Sequence, residues 1–254
     1  MKLFTLPNIL TLANLFCGCL SCIFIIKGTS PDLILVLLFL SLLFDFFDGF
    51  AARLTKQSSE IGGQLDSLAD MISFGLVPGL LMINMLGGNT LSNSLVDHYV
   101  FEKTGSLPNG VTWGHDFDVL IPFISLFIPL FSALRLAKFN LDTEQTYYFK
   151  GLNTPTNTIL IFSLYYLFNE NKISLLGNPF FLLVLIAICC WLLISNIPMM
   201  SLKFKGFNWK GNELIFSFLG ISLILILLFK MLAVPFVVLM YILLSIIFKK
   251  QIVK

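Results

Sequence analysis

Charge is scarce in this sequence. Only 12% of the 254 residues are Asp, Glu, Lys or Arg, and the net charge is +2, too little and too scattered for a basic patch suited to nucleic acid. Arginine is scarcer still, with Arg53 and Arg135 the only two. The two histidines, His98 and His115, lack any supporting ligand pattern, so no metal site is expected there. The five cysteines, Cys17, Cys19, Cys22, Cys189 and Cys190, all fall inside apolar runs and read as small core hydrophobes rather than metal ligands. There is no internal repeat, low-complexity stretch or inter-domain linker. No small-residue cleavage site stands out near the first apolar run, which therefore reads as a retained helix and not a signal peptide.

What is abundant is hydrophobicity. Apolar residues make up 57% of the chain, and the mean hydropathy is +0.91, outside the range of soluble globular domains. Apolar runs of about 17 to 23 residues recur along the whole length, the span of a bilayer core. The expected fold is all-α, a single polytopic bundle over 1–254 of about eight transmembrane helices: 8–26, 32–54, 62–86, 118–140, 153–168, 179–200, 212–229 and 232–248. A polar stretch, 87–116, separates the third helix from the fourth, and Lys230 begins a tight turn into the eighth. Eight crossings put both termini on one side. That side then collects twelve Lys and Arg residues and the other four, Lys27, Lys103, Lys172 and Lys230. By the positive-inside rule the first side is cytoplasmic, in the cell (inner) membrane, and the 87–116 loop is extracytoplasmic.

Against this background one stretch, 45–70, stands out: DFFDGFAARLTKQSSEIGGQLDSLAD. Asp45 and Asp48 are three apart and Asp66 and Asp70 four apart, so each pair shares one helix face. The short polar link between the pairs makes the second helix end and the third begin at the same membrane face. Two facing pairs form a cluster of oxygen ligands, and four close carboxylates stay ionised only if cations neutralise them. Such a donor set suits Mg²⁺, Mn²⁺ or Ca²⁺, and two divalent ions so held are a recurrent device in phosphoryl chemistry. Thr11 and Asn14 add polar groups to the first helix; they serve either helix packing or a nucleotide or lipid head. Arg135, at the end of the fourth helix, serves either as a flanking anchor or as a bidentate partner for a carboxylate or phosphate.

The pattern D-x2-D-G-x2-A-R-x8-G-x3-D-x3-D resembles the signature of the CDP-alcohol phosphatidyltransferase superfamily. It matches at Asp45, Asp48, Gly49, Ala52, Arg53, Gly62, Asp66 and Asp70. The strings LPNILTLANLFCG, DSLADMISFGLVP and ALRLAKFN further resemble the phosphatidylserine synthase subgroup. The resemblance covers about residues 7–152. It implies a transfer in which a substrate hydroxyl attacks the lipid-bearing phosphate of CDP-diacylglycerol and CMP leaves. By position it makes Asp45, Asp48, Asp66 and Asp70 ligands of two Mg²⁺ or Mn²⁺ ions, with Asp70 also the general base and Asp66 and Arg53 sharing in catalysis. It assigns Asn8, Thr11, Gly49, Ala52, Arg53 and Gly62 to the CDP site, and Ser73, Arg135 and Asn140 to the acceptor or the phosphate. L-Serine is the expected acceptor, with membrane lipid as surroundings and a homodimer as the assembly. Asn153 and Asn157 depart from the subgroup, which has a Pro after the Gly-Leu pair and small residues further on.

Glycerol 3-phosphate or an inositol phosphate as acceptor is the alternative within the superfamily. Such an acceptor demands additional cationic residues, and this chain has only two arginines. A cation transporter is the alternative of another class. It calls for acids at mid-membrane and commonly for repeated halves, whereas these acids lie near one face. An intramembrane aspartyl protease leaves the Ala-Arg and Gly positions of the signature without a purpose.

Overall fold

A computed structural model gives the fold for residues 3–57, 59–87, 120–142, 148–200 and 212–249. The histidines, most of the 87–116 loop, and Lys2, Lys103, Lys203, Lys205, Lys210, Lys250 and Lys254 lie outside these described residues.

Helix α1 (Leu6–Ile26) starts at Thr5, whose hydroxyl accepts from Asn8 N, with Pro7 in its first turn. Helix α2 (Pro31–Thr55) opens on a proline and stops at Lys56, which takes the left-handed conformation at φ 55°. Helix α3 (Glu60–Asp70) is capped by Ser59, whose Oγ accepts from Gly62 N at 3.0 Å. It continues through a π-helical turn, Met71–Leu76, into α4 (Val77–Gly87). A 3-10 turn, Ile121–Leu126, leads into α5 (Phe127–Leu141). Then come α6 (Thr154–Asn169), α7 (Pro179–Ile194), α8 (Glu213–Phe229) and α9 (Ala233–Ile247).

Among the described residues five stretches are long and apolar enough to cross a membrane: Leu6–Ile26, Pro31–Thr55, Glu60–Gly87, Ile121–Leu141 and Glu213–Ile247. The last is not one rod. Lys230 leaves helical conformation at φ 49°, and the rings of Phe218 and Tyr241 meet at 5.9 Å. Two residues so far apart in sequence touch only if α8 and α9 fold back as a hairpin, as the sequence predicts at Lys230.

The bundle is polar inside and apolar outside. Phe16, Phe39, Phe180, Trp191 and Leu227 are exposed, whereas Thr11, Asn14, Ser41, Asp48, Arg135 and Asn157 are buried beside an apolar core that includes Phe74, Leu81, Ile161 and Tyr165. This is the polarity of an integral membrane protein, with lipid as its outer solvent. Helix α1 is the central post: it packs along α2 and against α3, the π turn and α4.

One prediction fails beyond Ile194. The sixth helix, expected over 179–200, ends at Ile194. Residues Pro198–Met200 instead form a strand, β2, paired antiparallel with β1 (Tyr148–Lys150) inside the expected polar link. Pro198 lacks the N–H that helix continuation needs. Gly151 completes the turn at φ +77°; its N–H bonds Ile197 O at 2.8 Å, and an added Cβ would fall 2.7 to 2.9 Å from three carbonyl oxygens of residues 192–195. The departure noted at Asn153 has a local cause as well: its side chain caps α6, accepting from Thr156 N at 2.8 Å.

The π turn is explained by its neighbours. Pro78 has no N–H to offer Phe74 O, and that carbonyl accepts from Thr158 Oγ1 on α6 at 3.0 Å. Gly75 and Gly79 admit α5 closely, since a Cβ at Gly79 would lie 2.8 Å from Pro129 Cδ.

Candidate active site and metal centre

The link from Thr55 to Glu60 is short because α2 ends in a left-handed residue and α3 begins on a serine cap. Gln57 N also reaches back to Ala52 O at 3.1 Å. The last turns of α2 and the first turns of α3 therefore bring their carboxylates together, and α1 packs against both helices. Asp45, Asp48 and Asp66 each present an oxygen, and these oxygens lie within 4.8 Å of one another. The Asp70 carboxyl faces that of Asp45 at hydrogen-bonding range. Three carboxylates of the signature thus converge, and Asp70 adjoins them beside Asp45.

Helix α1 grips this cluster at two points one turn apart. Thr11 Oγ1 donates to Asp48 Oδ2 at 2.6 Å, and Asn14 Nδ2 donates to Asp70 Oδ1 at 3.3 Å. Among the described residues no lysine or arginine forms an ion pair with these acids. Asp48 is only 6% exposed, and Asp66 Oδ1 is buried with no protein partner. A partly buried, all-oxygen acidic set with an orphaned carboxylate oxygen fits a divalent cation of the hard class.

Beside the acids a groove of about 200 Å³ opens between the starts of α1 and α3 and the end of α2. Asn8, Thr11, Gly49, Ala52 and Gly62, all expected at the CDP site, line it, and Asp48 and Asp66 border it. Gly62 is small because α1 passes close: a Cβ there would sit 3.1 Å from Asn8 Oδ1. At Gly49 only Arg53 Nη1, at 3.8 Å, comes within contact distance of such a Cβ, so protein packing does not require the glycine. Arg53 itself is exposed and does not line the groove. Gln57, Ser59 and Gly63 also line it and were not singled out from the sequence. They fall in the link between the acid pairs, where only the chain reversal gives them a role.

The expected acceptor residues are not brought together. Ser73 is fully buried, and its hydroxyl is spent on Asn14 O at 3.2 Å. Asn140 is exposed and donates to Ser67 Oγ at 2.8 Å, tying α5 to α3. Arg135 does point inward: it is 7% exposed, Asp70 is within its electrostatic range, and its Cζ lies 5.3 Å from the centroid of the Phe139 ring. Its Nε has no partner. Asn157, fully buried on α6, leaves both amide atoms without partners, and Thr154 Oγ1 and Ser132 Oγ are likewise unpaired. These groups lie on α5 and α6, both of which pack against the π turn. Ser132 abuts Gly75 and Thr158 reaches Phe74, which places Arg135 and Thr154 about one turn nearer Asp70. The sequence marked Asn157 as a departure, but its burial became visible only with the packing of α6.

Comparison with known proteins bears on the same residues. The family model for CDP-alcohol phosphatidyltransferase matches residues 4–197. A CDP-diacylglycerol–serine O-phosphatidyltransferase of Helicobacter pylori is 30% identical over 225 residues, covering 86% of this chain and 81% of that protein. The enzyme of the same name from Bacillus subtilis is 27% identical over 150 residues, covering 59% and 69%. A CDP-diacylglycerol–glycerol-3-phosphate 3-phosphatidyltransferase of Aquifex aeolicus is 39% identical over a shorter stretch of 66 residues, 26% of this chain and 36% of that protein. With the signature acids converged and the family model spanning α1 to the end of α7, the chain belongs to the CDP-alcohol phosphatidyltransferase family.

Proposed function

We propose that the protein transfers the phosphatidyl group of CDP-diacylglycerol to the hydroxyl of L-serine, giving phosphatidylserine and CMP. The observation that carries the reaction is the convergence of Asp45, Asp48, Asp66 and Asp70 beside a groove opening at the start of α3. Asp45, Asp48 and Asp66, with Asp70 adjoining, would hold Mg²⁺ or Mn²⁺, two ions in our reading. When bound, the metal supplies Lewis-acid stabilisation of charge on the diphosphate oxygens. The chain's own residues do the rest. The start of α3 borders the groove, so the positive end of its helix dipole favours phosphate oxygens there. The space at Gly49 and Ala52 accommodates the nucleotide. Asp70 takes the proton as the serine O–H bond breaks, the new O–P bond forms and the P–O bond to CMP breaks. Arg53, at the groove's outer edge, is a cation for the diphosphate as it approaches. The acyl chains lie between helices in the bilayer.

The acceptor follows from the unpaired groups on α5 and α6. A buried guanidinium with an unpaired Nε and a buried amide without partners suit a small zwitterion, whose carboxylate accepts from Arg135 and whose remaining groups meet Asn157. The Helicobacter pylori relative's name agrees with this choice. Serine as acceptor, the roles of single residues, eight crossings with the site on the cytoplasmic side, and a homodimer together make up this reading. The eight crossings count α6 and α7, of 16 residues each, and both arms of the α8–α9 hairpin.

The test uses purified protein in detergent with CDP-diacylglycerol and Mn²⁺ or Mg²⁺. L-Serine, glycerol 3-phosphate and inositol phosphate are supplied in separate reactions while CMP release is followed. Release with serine alone, abolished by chelator, supports the reading. Release with glycerol 3-phosphate instead overturns the acceptor and leaves the reaction. No release from folded protein with any acceptor brings back the transporter.

A further inference from the structure

We infer that Ser41 and Asn14 are positioning residues for Asp70. The inference rests on the reading that Asp70 works at the reacting centre. It starts from a chain of buried hydrogen bonds that the signature does not include. Ser41 Oγ on α2 donates to Asn14 Oδ1 on α1, and Asn14 Nδ2 donates to Asp70 Oδ1 on α3. Ser41 and Asn14 are both fully buried. Polar side chains at such depth are costly unless fully paired.

The direction of the chain is fixed by its end. An ionised carboxylate only accepts, so the amide nitrogen of Asn14 must face Asp70. The amide oxygen then faces Ser41, whose hydroxyl is the donor that satisfies it. Without that hydroxyl nothing in this chain opposes a rotation of the Asn14 side chain that presents its oxygen to Asp70, a repulsive pairing. Asn14 also holds the backbone. Its carbonyl accepts from Ser73 Oγ at 3.2 Å, and Ser73 sits against Gly18, where any Cβ would collide with it. Asp70 is therefore held through its carboxylate and, three residues on, through the chain that carries it. Oδ1 is engaged by Asn14, which leaves Oδ2 as the oxygen turned to other work. Neither Asn14 nor Ser41 lines the groove beside Gly49, so their effect on nucleotide binding is indirect.

The test compares Ser41→Ala, Ser41→Thr and Asn14→Leu in the full-length protein in detergent. All are small or apolar changes in membrane helices, and folding is checked by size-exclusion profile and melting temperature. Loss of an outer-shell partner costs about 10- to 100-fold in activity or metal affinity. For Asn14→Leu we expect a kcat fall in that range, with KM for CDP-diacylglycerol within about twofold, and Mn²⁺ affinity weakened about tenfold in a titration of free Mn²⁺ by electron paramagnetic resonance. For Ser41→Ala we expect about a tenfold fall in kcat, and Ser41→Thr, which keeps the hydroxyl, recovers most of it. Unchanged kcat and Mn²⁺ affinity in folded Asn14→Leu overturns the inference. So does a loss in Ser41→Ala accompanied by a matching rise in KM or a collapse of the melting temperature. The Mn²⁺ titration needs no acceptor, so it reads the positioning role even where the choice of serine fails, and that failure is read separately from the wild-type acceptor assay.

Discussion

Replacing Asn157 by leucine should make the protein more stable and worse at its reaction. Asn157 is fully buried on α6, and neither its amide nitrogen nor its oxygen has a partner. Each unpaired buried polar group costs roughly 1–3 kcal/mol, so the bare amide penalises the empty protein by about 2 kcal/mol even if the two atoms are partly relieved by water. Leucine has the same number of side-chain heavy atoms and the same branching at Cγ, is bulkier, and has no polar atoms. The exchange removes the penalty and adds the ordinary gain of burying an apolar side chain in a core already lined by Ile161 and Leu160. In a chain of this size, about 2 kcal/mol raises the melting temperature by roughly 4–8 °C. The same exchange removes a hydrogen-bonding group from the proposed acceptor site, and a site built for such a bond loses binding steeply when it is absent. We expect KM for serine to rise about 10- to 100-fold, the counterpart of about 1.4–2.8 kcal/mol, with KM for CDP-diacylglycerol unchanged. The assay is a melting curve in detergent with and without serine, followed by initial rates of CMP release. A lowered melting temperature with an unchanged KM for serine would refute the argument. It would mean that the amide is satisfied within the resting protein and serves packing alone.

Other consequences follow from the same geometry. Asp45→Asn should leave a folded, nearly inactive protein that melts higher than wild type in chelator, because one of four clustered like charges is gone; Mn²⁺ should stabilise it less than it stabilises wild type, as thermal shift will tell. Gly151→Ala should destabilise by at least ~2 kcal/mol, since φ +77° is costly for an L-residue and its Cβ would meet backbone carbonyls; circular-dichroism melting measures it. Thr158→Val keeps the shape but withdraws the donor from Phe74 O, at a cost of about 1 kcal/mol by the scale of interhelical bonds in membranes, read as a lowered melting temperature with little change in kcat.

What was legible in the sequence was whatever depends on local period. The spacings of Asp45, Asp48, Asp66 and Asp70 place each pair on a helix face without knowledge of any other segment, and Asp45, Asp48 and Asp66 converge, with Asp70 beside Asp45. Lys230 announces the turn between α8 and α9 although the hydropathy on both sides is unbroken. What was not legible depends on partners distant in sequence. The end of α7 at Ile194 follows from Pro198 and from β1, which lies about fifty residues upstream, so an apolar run alone overextends it. Asn153 read as a departure from a family pattern, and its purpose is a helix cap. Ser41 is one hydroxyl in a run of leucines and phenylalanines, and nothing in its own segment points to Asn14. Ser73 and Asn140 carry the right chemistry for an acceptor site, yet their polar groups are engaged elsewhere in the bundle.

The π turn joins these local and distant demands. The segment Glu60–Gly87 must meet two different neighbours on one side. At its start it turns Asp66 and Asp70 toward α1 and α2; further on it turns Gly75 and Gly79 toward α5. An uninterrupted α-helix fixes the angle between these faces at about 100° per residue, with no freedom to adjust. A π turn places an additional residue in the turn and so rotates everything after it relative to everything before. Here it spans Met71–Leu76, between the last acid and Pro78. Pro78, unable to donate to Phe74 O, removes one of the bonds that would hold the regular helix. Thr158 supplies a donor for that carbonyl from α6, the helix that also carries Asn157. The device that aims the acids at the groove therefore also docks the helix bearing the unpaired amide. The carboxylate cluster and the unpaired amide of α6 are set by one irregularity of the backbone.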